Sequence, residues 1–124
     1  YFESRDQSTI GQIAVAEVTL NRVADPRWPN DICSVVKQGP TYKWKKNYPI
    51  KHRCEFSWYC DGKSDKPKDR IAWLKSVDIA KFVHGNYGNV KVVDDAKYFH
   101  AKYVDPGWTK LEKIVTIGDH IFYR

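Results

Sequence analysis

Residues 9–23, Thr9-Ile10-Gly11-Gln12-Ile13-Ala14-Val15-Ala16-Glu17-Val18-Thr19-Leu20-Asn21-Arg22-Val23, decide the class of fold. Thr9 with Gln12 three positions on has the pattern of a capping box. Ile13, Ala16, Leu20 and Val23 then recur at helical spacing. A helix is therefore expected from about Ile10 to Val23. Ala14 and Val18 widen its apolar stripe, so burial on several sides is expected. Asp25-Pro26 and Trp28-Pro29 end it, because a proline disfavours helical backbone in the residue before it. Glu17 projects beside the stripe and reads as a half-buried carboxylate paired with Arg22 or a lysine.

Outward from this helix the elements are shorter. Asn30 or Asp31 can cap a helix from Ile32 to Lys37 that stops at Gly39-Pro40. Residues 39–53 read as a loop, with Gly39, Pro40 and Pro49 among Lys43, Lys45, Lys46, Lys51 and Arg53. Residues 61–69 form a second polar loop. Asp69 caps a helix from about Arg70 to His84, which Gly85 stops. Its expected core stripe is Ile71, Ile79, Phe82 and Val83. The final third reads as strand: Val90–Val93, Ala96–His100, then Lys113–Ile117 and His120–Tyr123 around Gly118-Asp119, a two-residue hairpin signal. Helices first and an antiparallel sheet last make an α+β pattern, with one domain over residues 1–124.

Composition narrows the chemistry less. The 124 residues are 15% aromatic and carry a net charge of +6. A surplus of flat amphipathic rings suits sugar stacking or an interface as well as a core. A basic surface attracts polyanions, and nucleic acid, acidic lipid and an anionic cell wall all qualify. No apolar run approaches the ~20 residues of a membrane span. The histidines, His52, His84, His100 and His120, show no close metal-ligand spacing, and there is no Gly-rich phosphate loop. Of three cysteines, Cys54 and Cys60 lie six apart around an aromatic turn, poor spacing for zinc and close enough to bridge. A disulfide there implies an oxidising compartment. Cys33, in the apolar run 32–36, reads as a buried free thiol.

The chain opens on Tyr1-Phe2-Glu3-Ser4-Arg5. A carboxylate between an aromatic ring and an arginine, just ahead of an apolar helix, is a candidate general acid. Apolar neighbours raise its pKa, and Arg5 two residues on pulls it down. Three later segments accompany it: residues 14–23, the stretch Cys54-Glu55-Phe56-Ser57-Trp58, and Tyr98-Phe99-His100-Ala101-Lys102-Tyr103 followed by Ile117-Gly118-Asp119-His120-Ile121-Phe122-Tyr123. In that order and spacing the chain resembles the SleB/CwlJ-type cell wall hydrolases, the catalytic domain of spore-cortex lytic enzymes, over nearly its whole length.

The resemblance implies a lysozyme-like helical core, a small C-terminal sheet and an active-site cleft. It implies cleavage of peptidoglycan glycan strands without a cofactor, with Glu3 in the position of the family's catalytic glutamate. The expected reaction is that of a lytic transglycosylase at the MurNAc–GlcNAc β-1,4 bond, one glutamate serving as acid and then base and leaving 1,6-anhydro products. A hydrolytic muramidase is the enzyme alternative. It needs a second carboxylate, and Glu55, Asp61 and Asp119 are available, although the family often carries Gln where this chain has Glu55. Glu55, Phe56, Ser57, Trp58, Tyr98, His100 and Tyr103 are the expected substrate-binding residues, with Phe99 in the core and Trp108 near the cluster. A non-catalytic binding module is the alternative of another class. Loop 43–53 interleaves lysines with Trp44 and Tyr48, just after Tyr42, as single-strand nucleic-acid binders do. A solvated loop is the more ordinary reading, and attraction to anionic wall polymers a third. The protein is expected to act as a monomer in the cell envelope, in the periplasm or outside the cell, with a phage lysis or virion origin open.

Overall fold

Helix α1 (Thr9–Val23) packs against α2 (Ile32–Val36), α3 (Arg70–Gly85) and strand β4 (Lys113–Ile117) in the computed structural model, which describes residues 1–124 with the side chain of Asn47 excepted. Its cap is Ser8 rather than Thr9: the Ser8 hydroxyl accepts from the Gly11 amide at 3.2 Å. Gln12 is buried and does not complete a capping box. Its Nε2 donates instead to the carbonyls of Arg5 (3.3 Å) and Gln7 (3.1 Å), tying down the turns ahead of the helix.

The buried face of α1 is rotated from the expected stripe. Ala14, Val15 and Val18 form the core with Val93, Ala96 and Phe122, while Ile13, Ala16, Leu20 and Val23 are half-buried. The same face carries Glu17, Asn21 and Arg22, all buried. Glu17 is only 1% exposed and pairs with no cation; one carboxylate oxygen, Oε2, accepts the amides of Val92 and Val93, each at 3.0 Å. Asn21 donates to the carbonyls of Asp94 and Ala96, each at 2.9 Å, and Arg22 Nε to that of Lys97 at 2.7 Å.

These bonds explain why no strand forms at Val90–Val93. The backbone there is satisfied by helix side chains rather than by a neighbouring strand, and Asp94 turns it into the left-handed region at φ +50°. Only an isolated bridge, Tyr87 to Val90, remains. The strand expected at Ala96 begins two residues later as β3 (Tyr98–Ala101). Strand β4 and β5 (His120–Tyr123) have the expected bounds, and the sheet order is β3-β5-β4, antiparallel throughout. Gly118 opens the β4–β5 turn at φ +56°, which a two-residue hairpin with glycine first requires. A side chain at Gly118 would also strike Gln7, whose Oε1 lies 2.6 Å from where its Cβ would be.

Helix α2 starts at Asp31 as expected, but only Val35 is buried and Cys33 is exposed. A one-and-a-half-turn helix packs along one edge, so the apolar run does not enclose the thiol. Helix α3 has the expected cap, Asp69. It buries Ile79 and Val83, while Ile71 is 82% exposed and Phe82 also faces out, because α3 is covered on one side only. Within the segment expected to be a loop, β1 (Thr41–Tyr42) and β2 (Lys45–Pro49) form an irregular antiparallel hairpin. Its rings pair at the tip, Tyr42 with Trp44 at 5.4 Å, and Lys45 lies over Trp44 and Tyr48. Cys54 and Cys60 form the expected disulfide across a 3-10 turn, Ser57–Cys60.

Two outcomes are expected. Glu17→Leu leaves two buried amides without an acceptor and should destabilise the protein by about 3 kcal/mol, whereas Glu17→Gln, which keeps one oxygen for both, should cost about 1 kcal/mol in urea unfolding. Equal losses in the two variants would contradict the shared-acceptor account. Thiol titration without denaturant should find one reactive cysteine, Cys33, and denaturing without a reductant should expose no other.

Candidate active site

Glu3 lies in a run of turns, not in a helix or strand, so its position depends on what grips residues 1–8. Contacts to four parts of the fold do so. The Tyr1 hydroxyl accepts from the Asp69 amide at 3.1 Å and from Arg5 at 2.9 Å. The Phe2 ring stacks on Trp58 at 5.1 Å. Gln7 exchanges two hydrogen bonds with the Asp119 amide and carboxylate, each at 3.1 Å. Gln12 holds the carbonyls of residues 5 and 7. The turns are thereby pinned to α3, to the disulfide loop, to the β4–β5 hairpin and to α1.

Two cavities meet at Glu3. One, of about 450 Å³, is lined by Arg22, Glu55, Ser57, Tyr98, His100 and Trp108 among others. The second, of about 500 Å³, runs past Trp58, Asp61 and Asp119. Phe2, Glu3, Ser57, Ala101, Tyr103 and His120 line both, so the two adjoin as one cleft along these residues. From beneath, an apolar hollow lined by Val15, Leu20, Ile79 and Val83 also reaches Glu3. Burial therefore dominates its titration and raises its pKa from 4.5 to about 7, against the opposing pull of Arg22. The arginine acting on Glu3 is thus Arg22, not the expected Arg5, which is exposed and turned over the Tyr1 ring.

All the expected substrate-binding residues surround this cleft. Phe56 is buried as its floor, with the Arg22 guanidinium 5.9 Å above the ring, and Ser57 faces both cavities. Trp58 is half-buried on the side of the second cavity. Tyr103, 84% exposed, stands at the rim. Tyr98 packs edge-on against Trp28 and Trp108, and Phe99 stacks on Phe122 in the core. Both nitrogens of His100 are occupied: Nδ1 donates to the Ala101 carbonyl (2.8 Å), which leaves Nε2 to accept from the Tyr123 hydroxyl (2.9 Å). His100 is therefore a fixed wall group rather than a free acid or base. Glu55 is exposed at the first cavity. Asp119 is held by Gln7 and Lys102, which keep its carboxyl below the usual carboxylate range, and Asp61 accepts from the Lys63 amide.

A family model described as cell wall hydrolase matches residues 6–123. The chain belongs to the cell wall hydrolase family. Its activity is the breakdown of peptidoglycan, at or outside the cell envelope, where the Cys54–Cys60 disulfide is at home. Two solved structures are similar. The catalytic domain of the Bacillus cereus SleB protein is 24% identical, with a TM-score of 0.67 over 100% of this chain and 82% of that one. The catalytic domain of the germination-specific lytic transglycosylase SleB from Bacillus anthracis is 25% identical, with the same TM-score over 98% and 84%. Both share the lysozyme-like α+β fold. Among the curated proteins nothing matches. No described helix is long and apolar enough to cross a membrane.

Among the cleft residues that escaped the sequence reading of this family member are Phe2, Arg22 and His120. Arg22 had a signal, since it closes a helix whose neighbouring turns are apolar. His120 follows directly on the hairpin turn. Burial lowers its pKa, its Nδ1 is buried without a partner, and its ring meets Phe99 edge-on.

The raised Glu3 pKa has a consequence for stability. A carboxyl that ionises near 4.5 when unfolded and near 7 when folded favours folding fully below pH 4.5, and that contribution is lost as pH rises through 7. Glu3→Gln cannot ionise. Its urea midpoint should exceed the wild type's at about pH 8 and match it at about pH 4. A Glu3→Gln protein no more stable than wild type at the higher pH would contradict the burial of this carboxyl.

Proposed function

We propose that the chain is a single catalytic domain that cleaves glycan strands of peptidoglycan as a lytic transglycosylase, with Glu3 as its acid and base. The carrying observation is a half-buried carboxyl lining both adjoining cavities, with a pKa that desolvation raises to about 7. Such a group is substantially protonated at neutral pH and can give its proton to the glycosidic oxygen as the bond to muramic C1 breaks. The ionised Glu3 then takes the proton of the same sugar's C6 hydroxyl, whose oxygen attacks C1. A 1,6-anhydro ring closes, no water is consumed, and Glu3 ends protonated as it began. An attacking group within the same sugar competes well with water because its effective concentration is high. The similarity to a Bacillus anthracis domain described as a lytic transglycosylase supports this reading. Half-buried Trp58 and exposed Tyr103 offer ring faces to the sugars, and the exposed lysines and rings of the β1–β2 hairpin favour attraction to anionic wall polymers.

Hydrolysis is the second reading. The observation that favours it is Glu55, a carboxylate in the same cavity whose side chain hydrogen-bonds nothing among the described residues and is available to hold a water.

Digestion of purified sacculi followed by mass analysis separates the two. Wild type should release 1,6-anhydromuramic ends, each lighter by one water than its hydrolytic counterpart, and Glu55→Gln should do the same within a few-fold of the wild-type rate. Glu3→Gln should lose about 10²–10⁴-fold or more in turnover while remaining folded. Reducing-end muramic acid as the only product, abolished by Glu55→Gln, would establish the hydrolase instead.

A further inference from the structure

Arg22 carries a buried charge that packing alone does not explain. It is 6% exposed, and its guanidinium carbon lies 5.9 Å from the ring centres of both Trp28 and Phe56. Its Nε donates to the Lys97 carbonyl at 2.7 Å, and among the described residues that is the guanidinium's one hydrogen bond. No described carboxylate lies within ion-pair distance of it, although Glu3 and Glu55 line the same cavity. Buried cations are ordinarily paired, because an uncompensated charge out of water is strongly destabilising. The remaining N–H donors are held at the cavity wall next to Glu3, on a side chain that the two rings and the carbonyl keep from turning away.

On only one of its two sugars the substrate offers a carboxyl group that fits. A peptidoglycan strand alternates two sugars that differ at a single position. Muramic acid carries an ether-linked lactyl group ending in a carboxyl, where glucosamine has a hydroxyl. Selecting one of the two alternating linkages therefore requires contact with the lactyl group. A guanidinium fork matches a carboxylate bidentately, and it still donates to the carbonyl oxygen when that carboxyl is amide-linked to a peptide. We propose that Arg22 binds the lactyl carboxyl group of muramic acid and so sets which of the two alternating glycosidic bonds lies at Glu3. This rests on the glycan-cleaving reading of the cleft given above.

Binding to the folded Glu3→Gln protein, which removes turnover from the measurement, tests it. The probes are the tetrasaccharide of alternating N-acetylglucosamine and N-acetylmuramic acid and the tetrasaccharide of N-acetylglucosamine alone, each titrated by NMR. Glu3→Gln should favour the muramyl ligand by about tenfold or more. Glu3→Gln with Arg22→Gln should bind both ligands alike, and Glu3→Gln with Arg22→Lys, the variant to read if the glutamine does not fold, should keep only part of the preference. In the otherwise wild-type protein, Arg22→Lys should release glucosamine ends alongside muramic ends. Equal binding of the two ligands by Glu3→Gln, or a preference unchanged by either Arg22 variant, would overturn the role of Arg22 and leave the glycan-cleaving cleft standing. Binding of neither ligand would remove that cleft reading, and the inference with it.

Discussion

The cleft exists because three polar side chains of α1 grip the backbone of residues 92–97. Glu17, Asn21 and Arg22 lie on one face of the helix and satisfy, in chain order, the amides of Val92 and Val93, the carbonyls of Asp94 and Ala96, and the carbonyl of Lys97. That segment leads directly into β3, so the bonds fix the sheet against the helices. Hydrogen bonds here do more than stabilise. Being directional, they set the depth at which the sheet sits, which apolar contact among Val18, Val93 and Phe122 leaves freer. Arg22 ends the series at the cleft wall, so the joint between sheet and helices is also a boundary of the candidate active site.

Opposite this joint, the turns carrying Glu3 are held by contacts to four separate elements and by no ladder of their own. Their order depends on the rest of the fold being in place. The arrangement puts a carboxyl in surroundings that disfavour its charge, a local loss of stability offset by the core beneath it. A side chain at Gly118 would push against Gln7 and loosen one of these ties, which links the turn of the hairpin to the position of Glu3.

How much of this the sequence carried follows from the range of the interactions. Helix α3 and the β4–β5 hairpin were legible because local signals decide them: Asp69 before the helix, and Gly118 at the turn. The disulfide was legible from short spacing, and the ring of cleft residues from motifs whose order resembles a known family. The face of α1 was misjudged because its buried polar residues find partners some 75 residues away, and no periodicity reports that. The same bonds removed the strand expected at Val90. Glu17 was read as an ion-pair partner because two backbone amides as its ligands leave no trace in the sequence. The β1–β2 hairpin escaped because its strands are short, exposed and rich in lysine.

On the proposed function, this fold holds Glu3 as an acid near neutral pH. A carbon-13 NMR titration of the Glu3 carboxyl, assigned by its loss in Glu3→Gln, tests it most directly. The expected midpoint is at about 7. A midpoint at the ordinary 4.5 would contradict it, leaving a carboxylate that is fully ionised at neutral pH and has no proton to give.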